Sequence, residues 1–281
     1  MKNAIVMVAL AASLAGAQPI SISKTGQGPP LVFIPGLGCR AEVWRATVEQ
    51  LSKRHLCVLV SIAGFGGLQA DGPPDFGRVK SAIVEAAARE KWRSPVLIGH
   101  SFGGYLALSL AASHPDLFAK LVIVDAYPFP LGLMQPNLSP ESARQQALAL
   151  KGMTLGQMDA GFRQQQTLML QMSVSDDAQA KSVLEWMLAS DRATLAQAQY
   201  EMLSNDLRVQ VGKITAPVLV LGTWAGRERL GFTRDKVEQW LKEQYRALPR
   251  STIVVSDRAR HFVMLDDPAW LADQIARFSG Q

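Results

Sequence analysis

The sequence has little of the chemistry that binds metals or nucleic acids. Its 281 residues include only two cysteines and four histidines, and neither set has the spacing of zinc ligands. It contains no phosphate-binding P-loop and no acidic cluster. The net charge is +5, but the basic residues form no stripe and aromatic residues do not interleave with them. The sequence therefore predicts no metal centre, no bound cofactor and no nucleic-acid partner.

Long apolar runs are also scarce, and the longest lies at the start of the chain. Residues 4–14 are apolar, Lys2 precedes them and the small residues 15–17 follow. This pattern is typical of a cleavable signal peptide, here residues 1–17. The run is too short to span a membrane comfortably. We therefore expect a periplasmic or extracellular protein with no stable membrane insertion after cleavage.

The segment with the clearest chemistry is residues 99–104, Gly-His-Ser-Phe-Gly-Gly. An apolar, strand-like run precedes it and a helix-like run follows, which places Ser101 at a sharp strand-to-helix turn. Gly99 and Gly103 suit the crowding of such a turn. The helix start adds partial positive charge and free amides where an oxyanion would form. We therefore interpret Ser101 as a nucleophile rather than as a simple helix N-cap.

A loop upstream supplies a candidate second oxyanion donor. Residues 35–39, Pro-Gly-Leu-Gly-Cys, follow a predicted strand, and the amides of Leu37 and Phe102 are the predicted pair of donors. The glycine spacing also fits a dinucleotide loop. However, the next strand ends in residues 63–67 without a carboxylate to hold a ribose. The pattern favours acyl transfer over nucleotide binding.

The four histidines narrow the choice of general base. His55 precedes a strand, His114 lies in a helix-ending turn, and His100 adjoins Ser101, where neighbouring side chains point apart. These three are interpreted as structural. His261 follows a late strand through a short polar loop, which is where the base belongs when the chain order is serine, acid, histidine.

Three motifs together resemble the α/β-hydrolase superfamily: residues 35–38, residues 99–104, and Arg-His-Phe-x-x-Leu at residues 260–265. The resemblance implies an α/β fold with a mostly parallel sheet of about seven or eight strands, helices on both faces and an inserted helical cap. It further implies the following organisation: a hydrolase core of residues 18–126 and 213–281, and a cap of residues 127–212.

The acid that orients the histidine departs from the commonest pattern of that superfamily, which places an aspartate after the strand that follows the cap. Here that loop, residues 223–229, contains no aspartate. Asp125 is the favoured acid, because it ends the strand beside the nucleophile and some members of the superfamily take their acid from this position. Glu228 is the alternative, although Arg227 and Arg229 on either side of it indicate a surface ion pair instead.

The predicted cap is rich in methionine, a side chain that adapts to irregular apolar shapes. Ordinary helix packing is the favoured interpretation, and an acyl or aromatic pocket is the alternative. Seven of the ten methionines lie in this region: Met134, Met153, Met158, Met169, Met172, Met187 and Met202.

The two cysteines are expected to remain unpaired even in an oxidising compartment. Cys39 follows one predicted strand and Cys57 begins its parallel neighbour, so most of the length of a strand separates them. Cys39 is expected to be a free thiol near the mouth of the site.

A serine, a histidine and an oxyanion hole form an acyl-enzyme from an ester, thioester or amide and hydrolyse it with water. The predicted cap has no carboxylate cluster that would hold a peptide amino terminus. We therefore expect a secreted serine hydrolase, with a carboxylesterase for small to medium apolar esters favoured. An amidase, a lactonase or a proline-type peptidase with the same residues is the alternative, and a non-catalytic ligand-binding member of the fold is a second one.

Overall fold

A mostly parallel sheet of seven strands lies at the centre of the computed structural model, which describes residues 18–280. The strands are β1 (Ile20–Thr25), β2 (Pro30–Ile34), β3 (Leu56–Ile62), β4 (Val96–His100), β5 (Lys120–Val124), β6 (Val218–Thr223) and β7 (Ser251–Ser256). Their spatial order is β1-β3-β2-β4-β5-β6-β7. β1 is antiparallel to β3, and every other neighbouring pair is parallel. The predicted fold class is confirmed, whereas the predicted signal peptide lies outside the described residues.

Helices connect the strands and cover both faces of the sheet. They are α1 (Arg45–Leu51), α2 (Phe76–Arg89), α3 (Phe102–Ser113), α4 (Pro140–Gly156), α5 (Asp159–Ser173), α6 (Asp177–Ala189), α7 (Arg192–Ser204), α8 (Ala225–Glu228), α9 (Arg234–Gln244), α10 (Val263–Asp266) and α11 (Pro268–Gly280). Short 3-10 turns occupy Ala41–Trp44, Pro130–Leu133 and Gln210–Lys213. In the range 18–280, no helix combines the length and the apolar character needed to cross a membrane.

Successive side chains of the central strands point to opposite faces of the sheet, so that a hydrophobic core forms on each face. In β2, Val32 and Ile34 face the core shared with α2, α3 and α9, whereas Leu31 and Phe33 face the core shared with α1 and α11. Strands buried on both faces read as continuous apolar runs, as these do. Because β4 and β5 run parallel in register, the residues that follow their carboxyl ends meet at one edge of the sheet. Ser101 and Asp125 are those residues.

Between β5 and β6 the chain forms only helical elements. α4 packs against α7, and α5 packs against α6. The methionines here depart from the expected packing: Met187 is buried, but five others have exposed fractions between 36% and 81%. Met134 follows the 3-10 turn Pro130–Leu133, and the other four lie on or next to α4 and α5, which each bury only a narrow stripe, for α5 Phe162, Gln166 and Leu170. The exposed methionines are Met134, Met153, Met158, Met169 and Met172.

Gly103 is required by a close backbone approach between α3 and the end of β2. A Cβ atom at this position would lie 2.4 Å from the carbonyl oxygen of Ile34 and 2.5 Å from that of Pro35. Because both neighbours are backbone atoms, they cannot rotate away. We expect Gly103→Ala to lower the free energy of unfolding by about 1–3 kcal/mol, the usual cost of overpacking, measured by urea denaturation.

Gly152 provides the matched control for that substitution. It lies in α4, and a Cβ atom there would meet nothing within 4 Å. Gly152→Ala is expected to be neutral or to stabilise the protein by up to about 1 kcal/mol, because alanine has the higher helix propensity. Equal effects of the two substitutions would contradict the assigned role of Gly103.

Candidate active site

Ser101 occupies a strained turn between β4 and α3. Its backbone has φ +51° and ψ −119°, and it is one of four non-glycine residues with positive φ in the range 18–280. Its amide donates a hydrogen bond to the carbonyl oxygen of Val124, at 3.0 Å. Such conformations persist only where the surroundings impose them, and they cluster at functional sites. The turn holds the Ser101 side chain at the carboxyl edge of the sheet.

The two predicted oxyanion donors lie on the segments that flank Ser101. Phe102 is the first residue of α3, where backbone amides have no intrahelical acceptor. Leu37 follows Gly36, whose backbone packs on the Ser101 turn. A Cβ atom at Gly36 would lie 3.4 Å from Cβ of Ser101 and 2.7 Å from Nδ1 of His100. The loop after β2 thus packs directly on the Ser101 turn.

His261 and Asp125 are joined by a short hydrogen bond. Nδ1 of His261 lies 2.7 Å from Oδ2 of Asp125. The Asp125 side chain is fully buried and that of His261 is 31% exposed. With Nδ1 bound to the carboxylate, Nε2 is the ring nitrogen that Asp125 does not engage. Asp125 also has positive φ, +42°, so two adjacent strand ends both carry backbone strain.

The Asp125 carboxylate is ionised although it is buried. Burial by itself would raise its pKa, but the Arg227 guanidinium and the hydrogen bond from His261 outweigh burial and hold the pKa below its usual range. Nη2 of Arg227 donates to Oδ2 of Asp125 at 3.2 Å. A buried carboxylate that stays charged can both fix the tautomer of a histidine and stabilise its imidazolium form.

Of the two predicted acids, the structure places Asp125, and not Glu228, in contact with His261. Glu228 ends α8 with an exposed side chain. The expected surface pair between Arg227 and Glu228 is wrong, because the Arg227 side chain is only 20% exposed and turns inward to Asp125. The loop of residues 223–229, where the superfamily pattern places an acid, therefore contributes the Arg227 guanidinium instead.

His100 connects the Ser101 turn to the His261 loop. It is fully buried, its Nε2 lies 3.0 Å from the carbonyl oxygen of His261, and the two rings are 4.6 Å apart. Burial lowers the pKa of His100 well below its usual range, and the nearby His261 lowers it further. His100 is thus neutral and donates through Nε2. Sequence reasoning identified it only as a packing residue.

The helical segment is anchored to the core on both sides of the site. At the end of α5, the carbonyl oxygen of Ser173 accepts a hydrogen bond from the Phe262 amide at 3.1 Å, beside His261. Between α6 and α7, the Ser190 hydroxyl accepts from the Gly66 amide at 2.8 Å, donates to the Trp186 carbonyl at 2.8 Å and lies 3.3 Å from the Gly38 carbonyl oxygen. The loop that carries His261 and the loop that carries Leu37 therefore both contact this segment.

Cys39 does not face the site mouth as expected. It is buried with 1% exposure, and burial raises the pKa of its thiol to about 12, because the side chain packs into the core beneath the loop. Both cysteines are free, and so unpaired as predicted. Among the described residues, no group of three or more His, Cys, Asp or Glu side chains is arranged to hold a metal ion.

The strand order, the serine turn and the histidine–carboxylate pair define a class of protein. The sequence model of the alpha/beta hydrolase family matches residues 31–274, and the chain belongs to that family.

One named relative matches most of this chain, and another matches just over a third of it. A pimeloyl-[acyl-carrier protein] methyl ester esterase from Aeromonas hydrophila is 29% identical over 272 residues, which cover 93% of this chain and 99% of the relative. A (lyso)-N-acylphosphatidylethanolamine lipase from Bos taurus is 32% identical over 116 residues, only 38% of this chain and 33% of the relative.

Solved structures show the same fold at low sequence identity. An esterase from Exiguobacterium antarcticum superposes with a TM-score of 0.76 at 16% identity, covering 93% of this chain and 96% of the other. An esterase from Thermogutta terrifontis gives a TM-score of 0.73 at 19% identity, covering 92% of each chain.

Proposed function

We propose that this protein is a serine carboxylesterase in which Ser101 is the nucleophile, His261 the general base and Asp125 the orienting acid. The observation that carries the proposal is the 2.7 Å hydrogen bond between His261 and a fully buried Asp125. This hydrogen bond lies at the same carboxyl edge of the sheet as the Ser101 turn. Among hydrolytic chemistries, this arrangement suits acyl transfer.

The proposed reaction has two halves. Nε2 of His261 takes the proton of the Ser101 hydroxyl as its oxygen attacks the ester carbonyl, and the amides of Leu37 and Phe102 hold the oxyanion. The imidazolium then gives its proton to the departing alkoxide, which leaves as the alcohol. Water, activated by the same nitrogen, releases the carboxylic acid and restores Ser101.

Small to medium, mostly apolar esters are the proposed substrates. The relative that matches most of this chain is named as a methyl ester esterase, which supports an ester of a small alcohol. The apolar exposed face of α5, formed by Leu168, Met169 and Met172, ends beside the base loop and supports an apolar acyl group. The hydrogen-bonded Asp125 supports a catalyst over a non-catalytic binder of the same fold.

The proposal is tested by mapping a serine-reactive organophosphonate on the protein by mass spectrometry, beside a short-chain nitrophenyl ester assay. We expect one labelled peptide, containing Ser101, and hydrolysis that labelling abolishes. His261→Ala should strongly slow both. A folded protein that neither takes the label nor turns over an activated ester would refute the esterase proposal and favour ligand binding.

We also propose that the protein is exported. This proposal rests on the basic start, the apolar stretch and the small residues within residues 1–17. Cell fractionation followed by mass analysis is expected to find the chain outside the cytoplasm and beginning near Gln18. An intact chain in the cytoplasm would contradict it.

A further inference from the structure

Arg227 is the charged residue of this site that the reaction above leaves without a role. It lies in the single-turn helix α8, directly after β6. Its Nη1 donates to both the carbonyl oxygen and the hydroxyl of Thr223, at 2.7 and 2.6 Å. Thr223 is fully buried at the end of β6. The guanidinium is therefore fixed by the sheet itself rather than by other mobile surface side chains.

From this position the guanidinium meets both oxygens of Asp125. Nη2 donates to Oδ2, and Nη1 lies 3.2 Å from Oδ1. Oδ1 is buried and has no hydrogen-bond partner. Its ionic contact with Nη1 of Arg227 therefore offsets the loss of hydration on burial. Because a buried charge must be paired to be tolerated, Arg227 holds Asp125 in the ionised form and in one orientation.

Arg227 and His261 share a single carboxylate oxygen. Nδ1 of His261 and Nη2 of Arg227 both approach Oδ2 of Asp125, at 2.7 and 3.2 Å. If His261 becomes an imidazolium, two cations then face one anion, and the repulsion between them disfavours the protonated ring. Asp125 alone would have the opposite effect and would favour protonation.

Among the described residues near His261, Arg227 is the arginine that contacts the Asp125 carboxylate. His100, from the end of β4, is neutral because of burial, and the end of α5 presents backbone carbonyls. In the loop of His261 itself, Arg260 donates through its side chain to two carbonyls of that helix end, and its amide donates to Asp266. The charged or titratable groups of these elements are therefore Asp125 and His100, which contact the ring, Arg227, which contacts Asp125, and Arg260 and Asp266 in the loop.

We propose that Arg227 is a positioning residue of this site: its guanidinium fixes the Asp125 carboxylate against His261, and its charge disfavours the imidazolium form of that ring. This inference rests on the proposed function. It predicts that removing the charge makes His261 more basic, so that activity is lost at a higher pH as the solution is acidified.

The test compares Arg227→Met, Arg227→Lys and the neighbouring exposed Arg229→Met. The chain has four histidines, so the pKa of the His261 ring is read by NMR titration, with its signal assigned by its loss in His261→Asn. We expect Arg227→Met to raise this pKa, and the acidic limb of kcat/KM, by about 1–2 pH units. Arg227→Lys, which keeps the charge, and Arg229→Met should leave both near their original values.

Two results would overturn the inference. An unshifted ring pKa in Arg227→Met would mean that Arg227 only anchors its loop to Thr223. An equal shift in Arg227→Lys and Arg227→Met would mean that loop geometry, and not charge, acts on His261. Because the ring titration needs no turnover, it reports on Arg227 even if the organophosphonate and ester assays fail, so the two proposals fail separately.

Discussion

Replacing Ser101 by alanine is expected to lower kcat for a nitrophenyl ester by about 10⁴- to 10⁶-fold, the range found when a serine nucleophile is removed. The substitution deletes one oxygen and leaves the turn intact, since alanine carries the same Cβ atom and faces the same backbone constraint. KM and the unfolding midpoint should therefore change little. Steady-state kinetics on a variant checked by circular dichroism measure the effect.

Ser113→Ala is the control, because Ser113 ends the same helix, α3, with an exposed side chain. It should retain the activity of the parent. If Ser101→Ala kept more than a tenth of the parent kcat after contaminating esterases were excluded, Ser101 could not be the nucleophile.

Asp125→Asn is expected to lower kcat by about 10³- to 10⁴-fold with little change in KM, because an amide neither fixes the same histidine tautomer nor stabilises the imidazolium. It also leaves the mostly buried Arg227 without a counter-charge, and breaking a buried ion pair costs about 3–5 kcal/mol of stability. The activity loss must therefore be measured where unfolding curves show the variant to be folded.

Two further variants separate the two effects. Asp125→Asn combined with Arg227→Gln removes both charges and should regain part of the lost stability without regaining activity. Glu228→Gln should behave like the parent, because Glu228 is exposed while Asp125 holds His261. A large loss in Glu228→Gln together with a mild effect of Asp125→Asn would reverse the assignment of the acid.

The parts of the site that are encoded locally could be predicted from the sequence. Ser101 stands between glycines at a strand-to-helix junction, and the position of His261 follows from its loop after a late strand. Six of the seven strands appear as apolar runs, because parallel strands are buried on both faces. Each of these signals lies within about ten residues of the feature that it predicts.

The choice between Asp125 and Glu228 could not be made in the same way. It depends on the register of β5 against β6 and on the direction of side chains from a single helical turn, which no local pattern fixes. For the same reason Arg227 was expected on the surface, although its guanidinium reaches a residue 102 positions away in the chain. The hydrogen bond from His100 to the carbonyl oxygen of His261 joins residues 161 positions apart. No hydrophobic periodicity in the sequence predicts it either.

The positive φ angles of Ser101 and Asp125 bear on how this chain would evolve. Each such conformation costs about 1–3 kcal/mol in a residue with a side chain, and glycine would relieve that cost, most directly at Ser101, because Asp125 also pairs with Arg227. In a duplicated gene released from the need for turnover, drift toward a more stable chain would therefore favour glycine at the serine turn. A serine in this conformation therefore costs stability that only its side chain, and not its backbone, could offset.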